Sequence, residues 1–375
     1  MRIAQLANFV GPTSGGMRTA LAALGRGYAA AGVDRLLVVP GPRDRVTETA
    51  AGRVVELRAP RVGGGYRLIV EPWRVVEVLE RFAPTSLEVS DKSTMLPVSA
   101  WARRSGVPTL LLSHERLDAM LSLRTGLGAG FGAPVAALNR VLAQRYDRVV
   151  VTSAFAAAEF AAAVAEAGIP LHRVPLGVDL ATFRPPAGSP ARSPGPLRLV
   201  HAGRLSREKS PALAVATAVA LHRRGVPMQL DVYGDGPQRA RLERLAAGSP
   251  VRFHGYVAGR RTLARRLAGA DVALSVCPGE TFGLAVLEAL ACGLPVVTAD
   301  VGGARELVDT ASGAWALAEP EALADAVLEV AARPVAERRS AARRRAERYP
   351  WSATVEAMLQ LHAASARSSV GRRTA

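Results

Sequence analysis

Lysine is almost absent from this 375-residue chain: it occurs only at Lys92 and Lys209, and arginine carries the rest of the positive charge. Only two cysteines are present, Cys277 and Cys292, too few for a disulfide framework, and neither they nor the six histidines show zinc-ligand spacing. No apolar run approaches the ~18–20 residues that span a bilayer. The start, MRIAQLANFVGPTSGG, does not read as a secretory leader. It has one positive charge, then a short apolar stretch broken by Asn8, then a Gly/Pro loop in place of a cleavage site. Aromatic residues are scarce at 5%, and no DNA- or RNA-binding motif lies between the arginines. These absences predict a cytoplasmic protein that does not bind nucleic acid.

What is present is enough apolar material for two cores, with 49% of residues hydrophobic over a length that suits two domains. The net charge of +16 then fits attraction to an anionic substrate or an anionic membrane surface. Arg61, Arg67, Arg74 and Arg81 lie near Tyr66 and Trp73, and Arg124 opens a Gly-rich stretch (124–132) after His114. Aromatic side chains with basic neighbours suit a headgroup region, which predicts a peripheral place at the inner face of the cell membrane. The alternative is arginine scattered by a GC-rich genome, with no patch.

The first half alternates strand-like and helix-like segments. RIAQLAN (2–8), RLLVVP (35–40), SLEVS (86–90), TLLLS (109–113) and RVVVT (148–152) are short apolar runs. Segments 16–32, 71–83 and 95–105 carry apolar residues at helical spacing. Strands buried on both faces and separated by helices predict a parallel sheet of βαβ units. Residues 176–196, with five prolines among Gly and Ser, can continue neither element and read as a linker. The alternation then restarts at LRLVHAG (197–203), QLDVYGDG (229–236), VRFHGY (251–256), DVALSV (271–276) and PVVTAD (295–300). The predicted plan is α/β: a Rossmann-like domain over 1–175, the linker 176–196, a second Rossmann-like domain over 197–348, and a helix plus tail over 349–375. Two such domains facing each other place ligands in the cleft beyond the carboxyl ends of the strands.

The strand ends carry the chemistry. In CPGETFGLAVLEALACGLPVV, Glu280 sits in a loop before a helix beginning near Phe282, and Glu288 falls about two turns along it. Backbone N–H groups of Thr281, Phe282, Gly283 and Leu284 at that helix start suit an anion or sugar hydroxyls. The bland reading is a carboxylate stabilising the helix dipole beside an ordinary surface Glu. In HAGRLSREKS, Arg204 and Lys209 follow the strand 197–203 and suit a diphosphate whose charge grows as a bond breaks. Against a merely solvated charge run stands the choice of lysine at 209. Gly15 and Gly16 in GPTSGGMRT would let the backbone approach a phosphate, although this is neither GxGxxG nor a P-loop and also fits a simple tight turn. His114 ends the strand 109–113, and Glu88 and Asp91 end the strand before it, where they could line an acceptor side.

Together these pieces resemble the retaining GT-B glycosyltransferases of family 4 over nearly the whole chain. The marks are G-G near the N-terminus, G-V-D-x3-F-x-P (Gly177, Val178, Asp179, Phe183, Pro185), G-R-L-x3-K, G-D-G-P (Gly234 to Pro237), and E-x7-E leading into E-A-x-A-x-G-x-P-V-V. The resemblance implies that Arg204 and Lys209 bind the donor diphosphate, Glu280 contacts the transferred sugar and Glu288 holds the ribose hydroxyls. Gly16 would meet the phosphates, His114 would lie next to the sugar, and the segment from Trp351 would cross back to the first domain. More narrowly, NFVGPTSGGMRT, GGYR (64–67) and SHERLD (113–118) look like the GDP-mannose-dependent mannosyltransferases that extend phosphatidylinositol mannosides. No Asp-x-Asp occurs, which agrees with charge neutralisation by Arg204, Lys209 and a helix end, without a metal or other cofactor. The expected reaction is hexose transfer, most simply mannose from GDP-mannose, onto a lipid-linked acceptor. Two alternatives remain at this level: transfer from a UDP-sugar to a small soluble acceptor, and a non-enzymatic module that binds anionic lipid.

Overall fold

The computed structural model describes residues 1–11, 15–62, 65–126, 128–185 and 195–373. Residues 12–14 of the N-terminal loop, the first glycine of the GGYR string, residue 127 of the Gly-rich stretch, most of the predicted linker (186–194) and the end of the tail lie outside the described residues. The chain forms two compact units. One comprises Met1–Glu115, Gly132–Leu176 and Trp351–Ala375; the other comprises Arg116–Phe131 and Gly177–Pro350.

The first unit contains an eight-stranded sheet built from β1 (Arg2–Leu6), β2 (Asp34–Gly41), β3 (Arg45–Thr49), β4 (Gly52–Arg58), β7 (Ser86–Val89), β8 (Thr109–Ser113), β9 (Arg148–Val151) and β10 (Leu171–Arg173). A small hairpin, β5 (Arg61–Val62) and β6 (Tyr66–Arg67), stands apart. The order is β10-β9-β8-β7-β1-β2-β4-β3, parallel except that β3 runs antiparallel to β4. Alternation along β8 fills both faces, since Leu111 joins the core of Leu6, Leu87, Val89 and Phe160, while Leu110 and Leu112 join Ile3, Leu24, Tyr28 and Val150. The helix Trp351–Arg373 completes the second of these cores through Val355 and Met358, and the Thr354 hydroxyl donates to the Pro175 carbonyl at 2.9 Å.

The five runs read from the sequence in this half correspond to β1, β2, β7, β8 and β9. The β3–β4 hairpin was not anticipated because RVTET is exposed along most of its length and carries no apolar run. Glu88 corrects the expectation of an acceptor-side carboxylate, for it is wholly buried inside this unit. It accepts from Gln5 Nε2 at 2.8 Å and from the Tyr28 hydroxyl at 2.9 Å, and it lies 3.2 Å from His362 Nε2 on the C-terminal helix. Burial alone would raise the Glu88 pKa, but the hydrogen bond and charge of His362, with Gln5 and Tyr28, hold it below the ordinary range. Asp91 is also buried and accepts from the backbone N–H groups of Ser93 and Thr94 at 2.7 and 2.8 Å, a turn-forming role.

The second unit holds a six-stranded, wholly parallel sheet: β11 (Leu197–Ala202), β12 (Met228–Tyr233), β13 (Val251–Gly255), β14 (Val272–Ser275), β15 (Val296–Ala299) and β16 (Gly313–Ala316). Its order is β13-β12-β11-β14-β15-β16, the doubly wound Rossmann arrangement in which the winding reverses between the first and fourth strands. Residues 116–131, expected within the first domain, group with this unit. Their helix, Leu117–Thr125, packs on the turn Arg207–Lys209, and Leu123 covers Gly279.

Close packing of the C-terminal helix in the first unit is testable. A Cβ on Gly27, in the helix Gly15–Ala30, would lie 2.3 Å from Val355 Cγ2. Gly27→Val is therefore expected to lose about 1–3 kcal/mol of stability through overpacking. Adding Val355→Ala should recover part of that loss because the two positions touch. Urea denaturation of the single and double variants measures both effects; an unchanged midpoint for Gly27→Val would contradict the packing.

Candidate active site

Loops leaving adjacent strands at a winding reversal diverge, which opens a crevice at their carboxyl ends. In the second unit these are the loops after β11 and β14, and they carry Arg204, Lys209 and Glu280. The β11 loop is held from behind by the G-D-G-P string, with Gly203 N–H donating to Tyr233 O at 2.9 Å and Leu205 N–H to Asp235 O at 3.0 Å. Gly234 has φ +141°, and a Cβ there would come within 1.8 Å of the Gly203 carbonyl oxygen, so only glycine fits. Half-buried Arg204 follows at once, and Lys209 ends the 3-10 turn Arg207–Lys209.

Lys209 Nζ donates to both oxygens of Glu280, at 3.0 and 2.8 Å, tying the β11 loop to the β14 loop. The side chains are 42% and 17% exposed, so a ligand can still reach the ammonium. A third segment supports Glu280 from below: Gly303 N–H donates to the Glu280 carbonyl at 2.6 Å. A Cβ on Gly303 would meet Thr281 O at 1.9 Å, and no spacing in the sequence identified that glycine. The Thr281 hydroxyl accepts from Arg116 N–H at 3.0 Å, which brings residues 116–131 onto the same loop.

The helix bearing Glu288 is Leu284–Ala291, with Gly283 at its N-cap. It starts two residues later than expected because Gly283 is left-handed at φ +102° and interrupts helical geometry; Glu288 consequently sits one turn in, not two. Thr281 and Phe282 have buried side chains and can offer a ligand only backbone groups, while Leu284 is half-buried. Glu288 is 17% exposed and faces Arg260 Nη2 at 3.3 Å. Burial pushes its carboxyl up to about 7, opposed by Arg260 and reinforced by Asp179.

In the first unit the winding reverses between β1 and β7, and the loops beyond these strands and β8 carry the remaining predicted residues. Gly15 and Gly16 open the helix Gly15–Ala30 and are exposed; a Cβ on Gly15 would meet nothing within 4 Å, so packing does not explain glycine there. His114 follows β8 with Nε2 3.2 Å from the Ser90 hydroxyl. Burial pushes its pKa down to about 4, with Glu88 opposing and Lys92 adding to the fall, so the imidazole is neutral at physiological pH. Lys92 Nζ fixes the loop beyond His114 by donating to Glu115 O at 2.6 Å and to Glu159 at 2.8 Å. Neither Ser90 nor Lys92 stood out in the sequence as a partner of this loop. Among the described residues no group of three or more His, Cys, Asp or Glu could hold a metal ion.

Known proteins resemble this chain along both units. Residues 15–177 match the family model of the glycosyl transferase 4-like domain, and residues 196–333 match that of glycosyl transferases group 1. A Mycobacterium tuberculosis protein named GDP-mannose-dependent alpha-(1-6)-phosphatidylinositol dimannoside mannosyltransferase is 43% identical over 369 residues, 96% of this chain and 95% of that one. A D-inositol 3-phosphate glycosyltransferase of Saccharomonospora viridis is 32% identical over 58% of this chain and 55% of its own. Among solved structures, sucrose-phosphate synthase from Thermosynechococcus elongatus superposes with a TM-score of 0.78 at 23% identity, covering 96% of this chain and 98% of that one. HepE of Anabaena, solved with UDP-glucose, gives 0.72 at 17% identity, over 97% of this chain and 100% of its own. With both units matched in order and one relative similar from end to end, the chain belongs to the GT-B glycosyltransferases of family 4.

Proposed function

We propose that the protein transfers a mannosyl residue from GDP-mannose, with retention of configuration, to a hydroxyl of a lipid-linked mannoside such as a phosphatidylinositol mannoside. The observation that carries this reading is the 43% identity along nearly all of both chains to the M. tuberculosis relative, whose name states that donor and acceptor. Arg204 and Lys209 take the donor diphosphate. As they do so, Lys209 exchanges one anionic partner for another, and Glu280 turns from the ammonium to hydroxyls of the transferred sugar. Backbone N–H groups of Thr281 to Leu284, and of Gly15 and Gly16, add uncharged donors at helix starts. Glu288 accepts from the ribose hydroxyls, and neutral His114 hydrogen-bonds to the sugar.

The bond from the anomeric carbon to the diphosphate oxygen breaks while the acceptor oxygen bonds to the same face. The departing phosphate takes the acceptor's proton, so no carboxylate nucleophile is required. The developing charge falls on Arg204 and Lys209, with no metal or cofactor. Lys209→Ala and Arg204→Ala are each expected to lower kcat/KM by at least about 100-fold, since one donor to a developing oxyanion is worth roughly 3–4 kcal/mol. The assay is mannosyl transfer from GDP-mannose to phosphatidylinositol dimannoside. Transfer from a UDP-sugar but not from GDP-mannose would overturn the donor assignment. Activity is also expected to survive excess EDTA, and a strict need for Mg²⁺ or Mn²⁺ would remove side-chain cations as the sole neutralising charge.

An acceptor with acyl chains calls for an enzyme that meets the bilayer, and no helix among the described residues is long and apolar enough to cross one. Trp73 and Val70 are 58% and 57% exposed, next to the β5–β6 hairpin with exposed Arg61. Arg74 pairs with Asp44 and Glu71, and Arg81 with Glu77, so those two arginines add little net charge. Membrane contact therefore rests more on Trp73 and Val70 than the sequence suggested. Co-sedimentation with phosphatidylinositol-containing vesicles should exceed that with neutral vesicles, weaken with salt, and fall for Trp73→Ala. Equal recovery in the supernatant with both vesicle types would point to a soluble acceptor.

A further inference from the structure

The G-V-D-x3-F-x-P string takes no part in the chemistry above, yet it is packed with care. Asp179 Oδ1 accepts the N–H groups of Ala181 and Thr182 at 3.2 and 3.0 Å, turning the chain so that Phe183 is wholly buried. Arg343 Nη1 then donates to Phe183 O and to Ala291 O, both at 2.9 Å, which fastens this turn to the end of the helix that carries Glu288. Above the Phe183 ring, 5.0 Å from its centroid, lies the guanidinium of Arg260, the first residue of the helix Arg260–Ala268. Its Nη2 points at Glu288 Oε1.

We propose that Arg260, seated on Phe183, is a positioning residue for donor binding that holds the Glu288 carboxylate in the orientation that accepts a ribose's paired hydroxyls. This rests on the reading of Glu288 as the ribose ligand. The alternative, an ordinary surface ion pair, would need neither a buried aromatic floor nor the turn of Asp179 beneath it, and exposed pairs contribute little.

The charges around Glu288 make the role measurable. Burial pushes its carboxyl up to about 7, Arg260 opposes that rise and Asp179 adds to it. Cys292, the C-cap of the same helix, is neutral because burial pushes its thiol up to about 12, and Arg343 and Arg339 oppose that rise. With a midpoint near 7, Glu288 becomes ionised, and a better hydrogen-bond acceptor, as pH rises through neutrality. Removing Arg260 deletes the opposing charge, so the same gain is displaced to higher pH.

Calorimetric titration of the full chain with GDP-mannose, whose diphosphate has no group titrating near neutrality, tests this between about pH 6 and pH 9. Wild-type affinity should rise with pH around 7. Arg260→Met should bind roughly five-fold more weakly at pH 7, since a one-unit rise in the midpoint takes the ionised fraction there from about one half to about one eleventh, and recover most of the loss by the upper end of the range. Arg260→Lys should restore much of the wild-type profile, while Glu288→Gln should bind weakly at every pH. If Glu288→Gln is weak but Arg260→Met matches wild type, the role of Arg260 falls and that of Glu288 stands. A pH-independent loss in Arg260→Met would mark a merely structural residue and overturn the proposal. Wild-type binding by Glu288→Gln would overturn the reading beneath it.

Discussion

One ammonium joins the two loops that carry Arg204, Lys209 and Glu280 in the second unit. Lys209 Nζ reaches both oxygens of Glu280, so the segments after β11 and β14 meet where the sheet's winding would otherwise separate them. Each loop is also shaped by a close glycine contact of its own. The β11 loop is set by Gly234 lying against Gly203, the β14 loop by Gly303 lying against Thr281. The ion pair thus joins two loops whose backbones are each fixed by glycine contacts. On the proposed reading, it also keeps two opposite charges satisfied until a diphosphate and a sugar compete for them.

Much of this architecture was legible in the sequence for a simple reason. Strands buried on both faces are rich in apolar residues, so β7, β8, β11, β14 and β15 stood out, as did the polar residues just beyond their ends. Elements without such burial were silent: β3 is largely exposed, and β16 reads GAWA, which carries little strand preference. The departure of residues 116–131 from the first unit was equally silent. The helix Leu117–Thr125 has no fully buried residue, so no strong apolar periodicity marked its new partner.

Site residues divide along the same line. Arg204, Lys209 and Glu280 could be proposed from the sequence because a strand end followed by a turn is a local pattern. Glu88 was misread because it also stands near a strand end, and only the arrival of His362 from the C-terminal helix makes it an interior carboxylate. Arg260 went unseen because its meaning lies in two distant segments, the Phe183 turn and the Glu288 helix, that local spacing cannot bring together.

The two lysines carry a last physical lesson. In a chain that otherwise uses arginine, each sits where one small cation serves more than one acceptor oxygen. Lys92 Nζ serves the Glu115 carbonyl and nearly buried Glu159 while lying 4.8 Å from the Phe160 ring centroid. Lys209 Nζ serves both oxygens of Glu280. A guanidinium is planar, offers its donors in a fixed fork and needs acceptors in that plane. An ammonium presents three donors around a point and can pass from one set of acceptors to another by rotation alone. At Lys92 that compactness suits a fixed support beneath the His114 loop. On the proposed reading, at Lys209 it suits a cation that releases a carboxylate and receives a diphosphate without moving its backbone.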